Sequence, residues 1–334
     1  MILSIDVGSD SFFAAEGSYA GGTVDVIKTA EMKFPAGTVE DGAIKNHAAF
    51  IMSLNKMLVS KSFKTSAAAF TFNSNAILSR RLELPASKPK DMLKMVKNEM
   101  LQIVNETNEY IFEYSVVSDN SMNTNIKSVW AYAIPKEIVD EYYSIFRNVK
   151  LKPVALDTHP NSIEKLFLNS VVNGRPIGVA SVLFVNIEEE YMEIHLFSDG
   201  QRAFSRITPI SSSELKTLIS KEGQSSSGSV FDSLDITAEK FANDNILSDA
   251  SRQYINGLAD ELQKMIQFQL RRDAVKPVTT VYIYGGMACI RGLAAGIGAA
   301  LGISTENVET VSKIRSQDFI LVKYINAIGA LIRL

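Results

Sequence analysis

ILSIDVGSDSFFAAEG, at residues 2–17, returns 180 positions later as VLFVNIEEEYMEIHLF at 182–197. The shift sets Leu3 on Leu183, Ile5 on Val185, Asp6 on Asn186, Gly8 on Glu188, Phe12 on Met192 and Ala14 on Ile194. Each copy reads as strand, polar turn, strand, and each leads into a third strand. The first does so through Ser18–Gly22 into TVDVI, the second through Asp199-Gly200, a strong hairpin signal. A meander used twice points to a duplicated α/β body, two lobes flanking a cleft. Two unrelated halves that share only strand alternation are the plainer alternative.

The rest of each half alternates strands with helices. Residues 42–60 carry Ile44, Ala48, Ile51, Leu54 and Leu58 at helical spacing, and the strand SAAAFTF follows at 66–72. Pro160 opens a helix over 160–172 with Ile163, Leu166 and Phe167 inward. Ser211–Ser213 can cap a short helix bearing Leu215, Leu218 and Ile219. The longest helix, 250–272, has Leu258, Leu262, Met265, Ile266 and Leu270 on one stripe. Between 82 and 154 lies an insertion: a helix capped by Ser87 with Leu93, Val96, Met100, Ile103 and Val104, strands IFEYSVV and SVWAYAI joined by DNSMNTNIK, a helix opened by Pro135, and LKPVALD. The expected domains are a first lobe of 1–81 with 155–177, an inserted α+β subdomain of 82–154, and a second lobe of 178–334 whose smaller subdomain spans 212–275. QSSSGS at 224–229 reads as a flexible surface loop.

A net charge of −3 gives no electrostatic case for nucleic acid. Arg80, Arg81, Lys88, Lys90, Lys94 and Lys97 read as a solvated face, or else as a contact surface for an acidic or membrane-near partner. A single cysteine, Cys289, rules out a disulfide within the chain and suits a reducing cytosol. His47, His159 and His195 lie far apart in sequence, without zinc-site spacing. Met1 abuts the first strand, so no signal peptide is expected. IGVASVLFV at 177–185 is short of the ~20 residues a membrane helix needs, so a membrane role would run through a partner.

Chemistry concentrates at two turns. A strand ending on Asp6, followed by Gly8, Ser9 and Ser11, can place amides against a phosphate and a carboxylate beside hydrated magnesium. A tight polar hairpin is the alternative. VYIYGGMACIRGLAAGIGAALG, at 281–302, is strand, Gly285-Gly286, helix. The glycine pair lets backbone approach a ligand or a neighbouring element.

Six stretches carry a resemblance over nearly the whole chain: IDVGSDSFFAAE (5–16), FPAGTVEDGAIKN (34–46), LPASKPKDMLKMVKNEM (84–100), the LD of 156–157, DGQRAFSRITPI (199–210) and YGGMACIRGLAAGIGAALGI (284–303). Together they resemble the actin/Hsp70/sugar-kinase superfamily, its FtsA-like branch, and within it the type IV pilus assembly PilM family. The resemblance implies an actin-like ATPase fold, two duplicated lobes around an ATP cleft, with the insertion in the first lobe. It implies ATP with Mg as cofactor, with Asp6, Gly8, Ser9 and Ser11 on the first phosphate motif, Asp6 reaching the metal through water, and Gly285, Gly286 and Met287 on the adenosine motif. It further implies a cytoplasmic scaffold at the inner face of the membrane. Such a scaffold binds the N-terminal tail of a PilN-like bitopic protein in a groove between first lobe and insertion, near 66–84, by strand addition to an exposed edge, and links it to the pilus motor ATPase. A homo-oligomer is compatible with it.

The second phosphate motif departs from the family's D-x-G. It reads Asn186-Ile187-Glu188-Glu189-Glu190, without the formal charge, without a glycine free to take positive φ, and with three carboxylates. At ~4 Å and an effective dielectric of 20, each such carboxylate facing a phosphate costs ~4 kcal/mol before screening. Weakened ATP binding and negligible turnover are expected, hence a scaffold rather than an enzyme. Two alternatives stand beside it. An active ATPase or kinase needs a second cleft acid, for which Asp157 is the best candidate. An FtsA-like filament protein would carry a C-terminal membrane anchor, whereas FILVKYINAIGALIRL here reads as a helix packed on the second lobe.

Overall fold

The computed structural model describes residues 1–104, 109–117, 125–178, 180–221, 231, 234–237, 246–272, 276–315 and 319–333. The QSSSGS stretch, most of DNSMNTNIK, much of 212–275 and the Leu270 side chain lie outside them. The chain opens with β1 (Ile2–Val7), β2 (Ser11–Ala20) and β3 (Thr23–Lys33), a short β4–β5 pair (Val39–Glu40, Ala43–Ile44), α1 (His47–Lys61) and β6 (Ala67–Phe72). Then come β7 (Leu78–Pro85), α2 (Pro89–Met100), β8 (Tyr110–Val116), β9 (Ile126–Pro135), α3 (Lys136–Asn148), β10 (Lys152–Thr158) and α4 (His159–Phe167). After a β11–β12 pair (Val171–Val172, Arg175–Pro176) run β13 (Ser181–Ile187), β14 (Tyr191–Ser198), β15 (Gln201–Pro209), α5 (Ser213–Lys221), α6 (Ile246–Arg272), β16 (Val278–Tyr284), α7 (Leu293–Leu301), β17 (Ser304–Asn307) and α8 (Ile325–Leu331).

Two five-stranded sheets are built alike, β10-β6-β1-β2-β3 and β15-β14-β13-β16-β17. In each, the central strand has an antiparallel partner on one side and a parallel one on the other. The repeat holds residue by residue: Leu3 pairs with Glu16 and Asp6 with Phe13, as Leu183 pairs with Leu196 and Asn186 with Glu193. Both central strands are buried almost throughout, as strands covered on two faces must be.

The three-stranded sheet β7-β9-β8 carries α2 on one face, packing Met92, Val96 and Met100 against Leu82, Leu84, Val129 and Phe112. Helix α3, assigned from sequence to the insertion, instead buries Ile138, Tyr142, Ile145 and Phe146 with Leu3, Ile5 and Phe70 of the first sheet. Ser87 does not cap α2. Its hydroxyl donates to the Pro85 carbonyl at 3.1 Å, and the helix starts on Pro89, which has no N–H to satisfy. Strand β6 is paired on both sides, so it offers no edge for strand addition; β7 does.

The C-terminal helix α8 is not a second-lobe helix. All seven of its residues are buried, and it packs on α4, β1, β2 and β6 of the first lobe. An apolar surface on every side requires a fully enclosed place. Gly329 permits it, because a Cβ there would stand 2.3 Å from the Ser162 carbonyl oxygen. One hydrophobic core therefore crosses the lobe boundary, joining Phe13, Ala15 and Val26 to Ile325 and Ile328 and on to Val185 and Phe184.

Candidate functional site: the interlobe cleft

The two hairpin turns face each other across the lobe boundary. The Gly8 N–H donates to the Ser11 carbonyl at 2.9 Å, and the Glu188 N–H donates to the Tyr191 carbonyl at 2.9 Å. Neither Gly8 nor Glu188 has positive φ. The second turn thus needs no glycine freedom, contrary to the sequence argument. Glycine at position 8 is instead a matter of room. A Cβ there would meet the Ser11 carbonyl oxygen at 3.3 Å and Glu188 Oε2 at 3.5 Å. The Glu188 side chain occupies the space beside Gly8.

Glu188 is 5% exposed, and its Oε1 accepts the Gly286 N–H at 3.3 Å. Burial, reinforced by Asp6 and Asp10, pushes its carboxyl well above the usual carboxylate range and favours the protonated form. The other two acids of the turn divide. Glu189 pairs with Lys216 of α5, and Glu190 is exposed. Asn186 is 1% exposed, and neither polar atom of its side chain has a protein partner.

Asp6 is buried and held through its Oδ1. Thr158 caps α4, and His159 at its first position reaches between the lobes. His159 Nε2 lies 2.7 Å from Asp6 Oδ1, and Nδ1 lies 2.7 Å from Glu193 Oε1. Burial opposes a charged ring, but the Glu193 and Asp6 carboxylates outweigh it and hold the His159 pKa well above its ordinary value. The Glu193 carboxyl, despite burial, is pulled down to about 2 by His159. The ring is therefore an imidazolium donating one hydrogen bond into each lobe. His195, two residues along β14, adds Nε2 at 3.4 Å from Glu193 Oε2, while its Nδ1 meets Ser205 Oγ at 2.9 Å. Burial lowers its pKa, so it stays neutral.

The sequence does not reveal this network, because His159, Asp6 and Glu193 lie far apart along the chain. The available signal was E-x-H inside the apolar strand YMEIHLF, two ionisable groups on one face. Among the described residues, no His/Cys/Asp/Glu group has a geometry suited to a metal ion.

The remaining predicted residues surround the same point. Gly285 has φ 98°, and a Cβ there would stand 2.2 Å from Asn186 Oδ1 and 2.7 Å from the Ile187 carbonyl oxygen. Its freedom serves close approach to the neighbouring turn. Ser11 and Met287 are each 1% exposed, and the Ser9 hydroxyl is buried without a partner. The cavity between the hairpins, walled by Ser11, Phe13, Glu188, Gly286 and Met287, has a volume of about 20 Å³. That is room for about one water. The cations at its edge are matched to acids: Lys33 to Asp10 at 3.5 Å and Lys323 to Glu31 at 2.9 Å. Asp157 is not a free base either. Lys165 Nζ at 2.6 Å and Arg333 at 3.0 Å hold its pKa low in spite of burial. These residues do not fit Mg-ATP. Asp6, the carboxylate expected beside the metal, is bound to His159, and the Glu188 side chain fills the space between the two turns.

The sequence profile of the type IV pilus assembly protein PilM matches residues 4–327. Among solved structures, the chain superposes on one from a PilM–PilN type IV pilus biogenesis complex with TM-score 0.76 at 19% identity, covering 99% of this chain and 97% of that one. The ethanolamine utilization protein EutJ from Carboxydothermus hydrogenoformans matches with TM-score 0.54 at 11% identity, over 98% of this chain and 88% of that one. No curated protein matches at a significant level. A duplicated sheet pair with an insertion after the first crossover, matched end to end, is the actin-like ATPase fold, and the chain belongs to the type IV pilus assembly protein PilM family.

Proposed function

We propose that this chain is a non-enzymatic scaffold of type IV pilus assembly that docks the cytoplasmic N-terminal tail of a PilN-like inner-membrane protein. That contact holds it at the inner face of the membrane and couples the membrane complex to the pilus motor. The reading is carried by the family profile over 4–327, and by the end-to-end likeness to a protein solved with PilN. No helix among the described residues is long and apolar enough to cross a membrane. One further observation supports the reading. A cavity of about 690 Å³ opens where the insertion meets the first lobe, between His47 of α1, Tyr110 and Pro135 of the small sheet, and Glu137, Asp140 and Glu141 of α3. Glu109, Glu137, Asp140 and Glu141 outnumber Lys136 on its wall, and that acidic excess suits the Lys/Arg excess of segments on the cytoplasmic side of a membrane helix.

Fluorescence anisotropy with a labelled peptide, the cytoplasmic tail of the bitopic protein encoded beside this chain, tests the reading. Saturable binding is expected, weakened about tenfold by Glu137→Lys combined with Asp140→Lys. No binding by the unaltered protein sinks the partner assignment.

A further inference from the structure

The cleft where this fold would hold a nucleotide is closed by the chain itself. We propose that Glu188 is a built-in occupant of the phosphate position, and that the Asp6–His159–Glu193 bridge shuts the lobes around it, so that the closed two-lobe body forms without nucleotide. The proposal is independent of which tail the scaffold docks.

Three observations converge. First, the Glu188 carboxyl does locally what a phosphate oxygen would do. It accepts the Gly286 amide and lies beside Gly8, where an added Cβ would stand 3.5 Å from Glu188 Oε2. Second, the bridge is drawn from three separate elements, β1, α4 and β14, so it spans the boundary that a metal–phosphate group would otherwise span. A hydrated magnesium ion at Asp6 would compete with a buried imidazolium that holds Asp6 Oδ1 at 2.7 Å. Third, replacing Asp by Asn at 186 removes the charge that would answer a metal from the second lobe, and the amide left behind is buried against Gly285. The changes match one another. A carboxyl that fills the cavity, an amide in place of an acid, and a histidine shared by the Asp6 and Glu193 carboxylates together make a cleft that is filled by the chain's own groups.

The full-length protein tests this in two ways. Calorimetric titration and thermal unfolding with Mg-ATP and Mg-ADP should give no saturable heat and no dose-dependent rise in melting temperature. Saturable binding tighter than about 1 mM, with the rise it entails, overturns the proposal. Amide exchange at Gly286 is then compared between the native protein, Glu188→Gln and Glu188→Ala. Glutamine keeps the acceptor and should keep the protection. Alanine should speed exchange about tenfold or more at Gly286 and across the Gly8–Ser11 turn. Equal exchange in all three proteins would show that Glu188 occupies nothing.

Discussion

The two hairpins, Asp6–Ser11 and Asn186–Tyr191, share one backbone and oppose each other in chemistry. Their registers and turn hydrogen bonds coincide at a constant offset. Yet the first ends in a carboxylate and leaves space at Gly8, while the second ends in an amide and projects Glu188 into that space. Duplication repeats a main-chain pattern, and the side chains then specialise in pairs across the boundary. A turn sequence alone is thus a poor guide to ligand binding, because the space it leaves can be filled by its own duplicate.

The sharpest way to break the comparison is at the bridge between the hairpins. His159→Ala strands two buried carboxylates and should cost about 3–5 kcal/mol, read from urea unfolding. A loss under about 1 kcal/mol would mean that the bridge does not hold the lobes. Next comes the glycine pair. Gly285→Ala puts a Cβ at positive φ and 2.2 Å from Asn186 Oδ1, which should cost on the order of 1–3 kcal/mol or more. Gly286→Ala meets only side-chain atoms, Glu188 Oε2 at 3.4 Å and Phe13 Cζ at 3.8 Å, and should cost well under 1 kcal/mol. Equal effects at the two positions would contradict the packing described.

A third test uses pH. The Glu188 carboxyl is raised in the folded state, so the folded protein retains a proton that the unfolded chain has released above roughly pH 4.3. Its contribution to stability therefore falls as pH rises from there toward its folded value, by up to ~1.4 kcal/mol per pH unit. Urea midpoints from pH 5 to 8 should fall more steeply for the native protein than for Glu188→Gln; parallel curves would place an ionised carboxylate in the cleft. The smallest effect is expected at the rim, where Lys33→Ala removes a half-exposed pair with Asp10 and should change stability by less than about 1 kcal/mol.

Much of the fold was legible because burial imposes periodicity. The offset that sets Ile5 on Val185 returned as identical strand register, and the stripe of Leu258, Leu262, Met265 and Ile266 returned as the buried face of α6. Elements apolar on all sides were harder. FILVKYINAIGALIRL reads as buried, but a helix without a polar face does not say which lobe encloses it, and it went to the first. At the cleft, the acidic character of the second turn was readable, while its direction was not. Of three consecutive glutamates, one fills the cleft, one pairs with Lys216 and one faces solvent.

By itself, then, the sequence determined a duplicated α/β body with an insertion, and two matched turns of which the second is acidic. Hydrophobic period and turn residues are local, and they survive in a linear reading. Tertiary structure decided the fate of the cleft. Asp6, His159 and Glu193 stand far apart along the chain, and only folding brings them within 2.7 Å contacts where burial makes each charge depend on the others. Coupling between buried charges depends on distance in space and on exclusion of water, and neither quantity is written in the order of residues.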